Sequence, residues 1–229
     1  MRRVLLASVV LSILLMPQVA VGDGLDPPPV WHYGFPNPYL PPIHPTNPAI
    51  AYYGHDLHAM YPQGVIMKDP IHRAFTNVQR SPIGFDEVEV FDSVLDATVS
   101  ADGGLTWMSI TMTGPVTTKV YNYTGGQTGT FQTEILSMNL VGNVGGYPVM
   151  IRESPTRSST GRVSVEGGGG GGGGYRIESF FDVFTELSLN GGASWGPDLE
   201  APGRMTLCPE PATLGLVALG GLALLRRRR

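Results

Sequence analysis

Histidines and carboxylates are the residues best equipped for chemistry in this chain, and their spacing limits what they can do. All five histidines, His32, His44, His55, His58 and His72, precede the strand-like part of the chain. His55-Asp56-Leu57-His58 sets two imidazoles three apart with a carboxylate between them. That donor set suits zinc or another divalent ion. It departs from His-Glu-x-x-His, in which the histidines are four apart on one helical face with a general-base glutamate beside the first. Neighbouring prolines and glycines also deny the segment a stiff helix. The histidines therefore read as turn-forming or hydrogen-bonded surface groups, and neither a metal nor another cofactor is assigned. Asp86, Glu87 and Glu89 form a second cluster. A glycosidase needs an acid and a base some 5 to 10 Å apart, but carboxylate pairs are common on exposed strands, so no catalytic residue is assigned. Neither a Walker loop nor a Cys-x-x-Cys pair occurs. Gly167 to Gly174 satisfies G-x-G-x-x-G trivially, without the helix start and ribose-binding acid that a nucleotide site needs. The expectation is a protein that is not an enzyme.

The elements that must carry these residues are strands. Gly at 31 and Pro at 20 are abundant and only 15% of residues are charged, while Val, Thr, Ser, Phe and Tyr recur in short alternating runs, the profile of an all-β protein. In Val94 to Ala101, Leu95, Ala97, Val99 and Ala101 share one face and Asp96, Thr98 and Ser100 the other, the period of a half-buried strand. Asp102-Gly103-Gly104 follows as a turn and Thr106 to Thr113 as the return strand. Val116 to Tyr123, Thr130 to Val141 and Pro148 to Glu153 are further strand candidates. Tyr175 to Leu189 fits a strand better than a capped helix. The proline- and aromatic-rich stretch from Asp23 to Pro82 reads as an extended, polyproline-like arm. The expected fold is a glycine-rich antiparallel β-sandwich over 83–207, with a polyglycine loop at 167–174.

Ser100-Ala-Asp102-Gly103-Gly104-Leu-Thr106-Trp107 resembles the Asp-box, the S-x-D-x-G-x-T-W hairpin of sialidases and related propellers. A weaker copy stands 88 residues on, Ser188-Leu-Asn190-Gly191-Gly192-Ala-Ser194-Trp195, with Asn for Asp and Ser for Thr. The resemblance implies a structural turn, in which the acidic side chain satisfies turn amides and the tryptophan packs beneath, and no catalytic role. Two such boxes cannot build a six-bladed propeller. Similar phrases precede them, EVFDSVLDATVS and ESFFDVFTELSL, which points to equivalent hairpins of a duplicated β unit and leaves a carbohydrate-binding or glycan-cleaving module as the alternative function.

The two ends supply a destination. Arg2 and Arg3, the apolar run Val4 to Met16 and the small residues Ala20-Val21-Gly22 read as a secretory signal peptide over 1–22, removed by signal peptidase. At the other end Cys208 leads into Pro209-Glu210-Pro211, an apolar run from Ala212 to Leu225, and Arg226, Arg227, Arg228 and Arg229. Fourteen apolar residues make a helix of about 21 Å against a hydrocarbon core of about 30 Å, a short transmembrane helix suited to transient anchoring. Residues 208–229 resemble the PEP-CTERM sorting tail, also called the ice-binding protein C-terminal domain. The resemblance implies export, handling by an exosortase-type membrane protease, and an envelope or exopolysaccharide-associated destination. Carried onto this chain, Pro209, Glu210 and Pro211 are recognition residues and the four arginines the stop. Setting aside the arginines and Glu210 of the two ends leaves 9 basic and 18 acidic residues. An acidic body argues against nucleic acid and against an anionic membrane surface as partners. A structural or adhesive surface protein is expected.

Overall fold

A computed structural model describes residues 35–43, 50–54, 57–167, 174–200 and 202–209. They form twelve strands: β1 (Ile50–Tyr53), β2 (His58–Tyr61), β3 (Val65–Ile83), β4 (Asp86–Ser100), β5 (Met108–Val120), β6 (Gly129–Val144), β7 (Tyr147–Glu153), β8 (Ser159–Gly167), β9 (Tyr175–Val183), β10 (Thr185–Ser188), β11 (Gly196–Pro197) and β12 (Gly203–Pro209). The period-two pattern places side chains as expected. Along β4, Phe91, Ser93, Leu95, Ala97 and Val99 are buried and alternate with residues that are half-buried or exposed.

Neighbouring strands run β6–β5–β4–β3–β1–β12–β9–β8 and return to β6, because β6 pairs antiparallel with β8 from Gly129↔Val165 to Ile135↔Ser159. The sheet is thus a closed eight-stranded antiparallel barrel, which leaves no edge in the ring. The other four strands continue the wall at one end. The second half of β6 pairs with β7, β7 with β10, β10 with β11, and β2 with the start of β3. There Leu199 N donates to Met60 O at 2.7 Å, and Met60 N donates to Asp198 Oδ1 at 3.2 Å, which brings the exit of β11 alongside β2.

The strands are tilted. Met205 traces through Phe181, Gly161, Thr133 and Val120 to Glu87. In the other direction Thr206 traces through Tyr53 and Ile71 to Asp96. The stagger is about ten residues over eight strands, the offset that closes a barrel of this size around a side-chain-filled interior. One continuous apolar cluster fills it, including Tyr52, Phe91, Leu95, Met112, Leu140 and Ile177. Close approach of the wall dictates glycine at several positions: a Cβ on Gly114 would lie 2.1 Å from the carbonyl oxygen of Asn139, and one on Gly161 2.1 Å from that of Phe180.

Three expectations change. The body is a barrel where a sandwich was expected, because its sheet closes on itself through β6 and β8 and through β1 and β12. The extended arm does not run to residue 82: Ile50–Tyr53, His58–Tyr61 and Val65–Ile83 are strands, and β3 takes its prolines at its irregular first half and its tip. The expected return strand and the segment after it are one element, β5. The proposed signal peptide, most of the polyglycine run and the C-terminal helix lie outside the described residues.

Candidate functional site

The inward face of β4 carries two acids. Alternation turns Glu87 and Glu89 into the barrel, and Glu89 is 0% exposed. Glu89 Oε1 accepts from Leu40 N at 3.1 Å and from Arg80 Nε at 3.3 Å, and its Oε2 accepts from Thr118 Oγ1 at 3.4 Å. Glu87 Oε1 is buried without a hydrogen-bond partner. Burial raises both carboxyls, Glu89 well above the usual glutamate range; Arg80 pulls Glu89 back down and neighbouring Glu87 pushes it up. Burial and the adjacency of the two carboxyls favour a single proton shared by the pair.

Residues 35–43 cover this end. Phe35 and Tyr175 exchange backbone hydrogen bonds of 3.1 and 2.8 Å, and Tyr123 OH donates to the carbonyl of Pro38 at 2.6 Å. The Arg80 guanidinium lies over the Tyr39 ring at 4.4 Å, and Tyr39 meets Tyr123 edge to face. Glycosidase carboxyls stand about 5 Å apart or more around the bond they cleave; these two share a proton beneath a covering segment. The arrangement holds a proton and a piece of chain. Among the described residues no three or more potential ligands gather to hold a metal.

Further along the barrel lies a cavity of about 80 Å³ lined by aromatic and sulfur side chains, among them Tyr52, Phe75, Phe91, Met138 and Met205. Its polar groups are already paired. Tyr52 OH donates to Ser179 Oγ at 3.0 Å, Tyr61 OH meets Thr185 Oγ1 at 2.6 Å, and His72 Nε2 meets Ser93 Oγ at 2.6 Å. Burial lowers His72 to about 4, so its ring is neutral at pH 7, and raises both tyrosines. A serine next to a neutral histidine is half of a nucleophile and base pair, which needs a third group to orient the base. The ring beside His72 is Phe75, edge-on at 5.5 Å.

Of the histidines raised by the sequence, His58 is exposed on β2, while His55, His44 and His32 lie outside the described residues. The two glycine turns behave alike. In the β4–β5 turn, Gly104 N donates to Ser100 Oγ at 2.8 Å, Leu105 N and Thr106 N donate to Asp102 Oδ1 at 3.0 and 2.9 Å, and Thr106 Oγ1 donates to Asp102 Oδ2. These bonds hold the Asp102 carboxyl down at about 2. In the β10–β11 turn, Gly192 N donates to Ser188 Oγ at 2.9 Å, Ser194 N to Asn190 Oδ1 at 2.9 Å, and Asn190 Nδ2 to Ser194 Oγ at 2.8 Å. Gly103 and Gly104 have φ of 72° and 94°, Gly191 and Gly192 of 68° and 89°, left-handed values that glycine adopts freely. Lys68 lies 4.0 Å over Trp107 and Arg152 4.1 Å over Trp195. The register also agrees: Val99↔Met108 and Leu187↔Gly196 are the same pair displaced by 88 positions. Every acceptor of these turns faces its own turn, so they hold the hairpins.

β12 ends on the sorting signal. Cys208 pairs with Ala51 and Pro209 with Ile50, and the Cys208 thiol is buried, which raises its pKa. Glu210, Pro211, Arg226, Arg227, Arg228 and Arg229 lie outside the described residues. The molecule is therefore a closed β-barrel whose last wall strand runs directly into residues 208–229. Those residues match the family described as the PEP-CTERM protein-sorting motif, a tail that implies export to the cell envelope and sorting by exosortase. Neither a curated protein nor a solved structure matches it.

Sequence reasoning singled out Glu87 and Glu89 only as surface acids and His72 only as one of the clustered histidines, and missed Arg80 and Ser93. One available signal was the period-two run back from Phe91, which puts both acids on the apolar face.

Proposed function

We propose that this protein is a non-catalytic structural or adhesive component of the envelope surface, freed of a signal peptide over 1–22 and presented by its tail, with exopolysaccharide as its surroundings. The observation that carries the reading is the placement of Cys208 and Pro209 in wall strand β12: what the tail delivers is the barrel itself. The internally paired polar groups of the barrel support a scaffold role. Pro209, Glu210 and Pro211 are the recognition residues, the apolar run enters the membrane at least transiently, and the four arginines stop it on the cytoplasmic side. The test is the intact mass of the protein recovered from envelope and medium of its host. A product that starts near Asp23 and ends near Pro211 is expected; one that retains Arg229 reduces the tail to a plain anchor.

The two matching turns favour a second reading, in which they are Asp-boxes and the exposed side chains beside them, Leu105 and Trp107, meet glycans. A glycan array without hits, or binding unchanged in Trp107→Ala, removes it.

A further inference from the structure

We propose that the tip of the β3–β4 hairpin, Ile83-Gly84-Phe85, inserts into the lipid–water interface of the membrane that holds the tail, giving the barrel a second contact with the bilayer; this rests on the tail being embedded. Ile83 is 57% exposed and Phe85 81%. Gly84, with φ of 66° and no atom within 4 Å of a Cβ placed there, opens the two-residue turn between Ile83 and Asp86 that holds both side chains out.

Position singles out this tip among the exposed apolar residues. Leu105 at 84% and Tyr147 at 73% are as bare, but they sit in the β4–β5 and β6–β7 turns at the opposite end of the barrel. The chain leaves the wall at Pro209, and only Glu210 and Pro211 separate it from Ala212, where the apolar run begins. Three residue steps span at most about 10 Å, so the end of the barrel that bears Pro209 is held against the membrane surface. With the stagger of about ten residues shared over eight strands, the level of Pro209 falls on β4 near Glu89. The hairpin tip reaches some four or five residues further, on the order of 10 Å along the axis after tilt. Tip and tail therefore arrive at the same plane. Charge near the tip is neutralised within the protein: Lys119 Nζ lies 2.8 Å from Asp86 Oδ2, and Arg80 faces the single negative charge of the Glu87 and Glu89 pair, its Nε 3.3 Å from Glu89. An aromatic and an aliphatic side chain on a neutral turn suit the interfacial zone of a bilayer.

The test uses the full chain in zwitterionic vesicles of phosphatidylethanolamine and phosphatidylcholine, with an environment-sensitive fluorophore on Phe85→Cys or, in a separate protein, on Leu105→Cys. Cys208 is buried, and the parent chain taken through the same labelling measures its background. Flotation with the vesicles reports the tail. A several-fold rise in emission from position 85, quenched by nitroxide lipid, with position 105 unchanged, is expected. Flotation with position 85 as dim as position 105, or with both brightening alike, overturns the docking of the tip and leaves the tail intact. Failure to float overturns the embedding of the tail, and the inference with it.

Discussion

Burial and a second carboxyl that resists a second charge raise Glu89 well above the usual glutamate range, against the Arg80 guanidinium and the Leu40 amide, which favour its charged form. An acid whose folded pKa is raised binds more protons folded than unfolded just above the ordinary glutamate range. Its contribution to stability is therefore largest in acid and falls as pH rises from about 4.5. His72 acts in the opposite sense. Lowered from 6.5 to about 4 by burial, it contributes fully above pH 6.5, and that contribution is lost as pH falls through 4. Melting temperatures recorded from pH 4 to 8 separate the two. Glu89→Gln, which keeps an acceptor for Leu40 N and offers Glu87 a donor, is expected to melt a few degrees higher at pH 7.5 and to flatten the alkaline fall. His72→Gln is expected to flatten the acid side and leave the alkaline side as it was. A Glu89→Gln profile parallel to that of the parent would show that the shared proton is not there. These residues were hard to read because Glu87-Val-Glu89-Val alternates as neatly with its valines outside as inside. Only the apolar continuation at Phe91 and Leu95 settles the face, and the partners Arg80 and Leu40 come from elements the sequence does not join.

Among the elements, the hairpins were the most legible. Leu95, Ala97 and Val99 face inward as the alternation required, and Tyr175–Val183 and Thr185–Ser188 are strands. The two glycine turns follow from local chemistry alone: an Asp or Asn oxygen gathers turn amides while two glycines take positive φ. Asp102→Ala is expected to lower the melting temperature clearly, whereas Asp102→Asn, which copies the turn at Asn190, loses much less; equal losses would mean that the negative charge, and not the oxygen acceptor, holds the turn. Strand β6 defied simple alternation. Leu136, Met138 and Leu140 stand two apart, as residues of one face do, yet Leu136 is exposed while Met138 and Leu140 are buried. Thr118 pairs with Ile135 and Thr117 with Ser137, so Leu136 is the extra residue of a bulge, which reverses the alternation on either side of it. A periodic reading has no means of seeing a residue added opposite a partner it does not know. Much the same holds for β3, where Asp69, Ala74 and Asn77 take positive φ and break the register with β4 three times. The prolines and irregular spacing of this part of the chain disguised its longest strand as an arm.

For the molecule as a whole, the all-β class was readable from composition, and the sorting tail from residues 208–229. Closure was not. Sandwich and barrel share inward-facing alternation, and they differ only in which distant strands pair. The decisive pairs, β6 with β8 and β1 with β12, carry no local mark. The internal likeness of the two hairpins was legible, and the shared register over an offset of 88 positions agrees with a repeated unit. Loss of the closing strand should be severe. A chain stopped at Pro202 leaves β1 and β9 without their partner and is expected to be cut rapidly by protease where the full chain resists; equal resistance would mean that the ring does not depend on β12.

The seam between β1 and β12 also sets a timetable. It joins Ile50 to Pro209, so the ring can close only after every strand between them is in place and β12 itself has been made. Until then the wall has a gap one strand wide, and closing it is the last, longest-range step of folding.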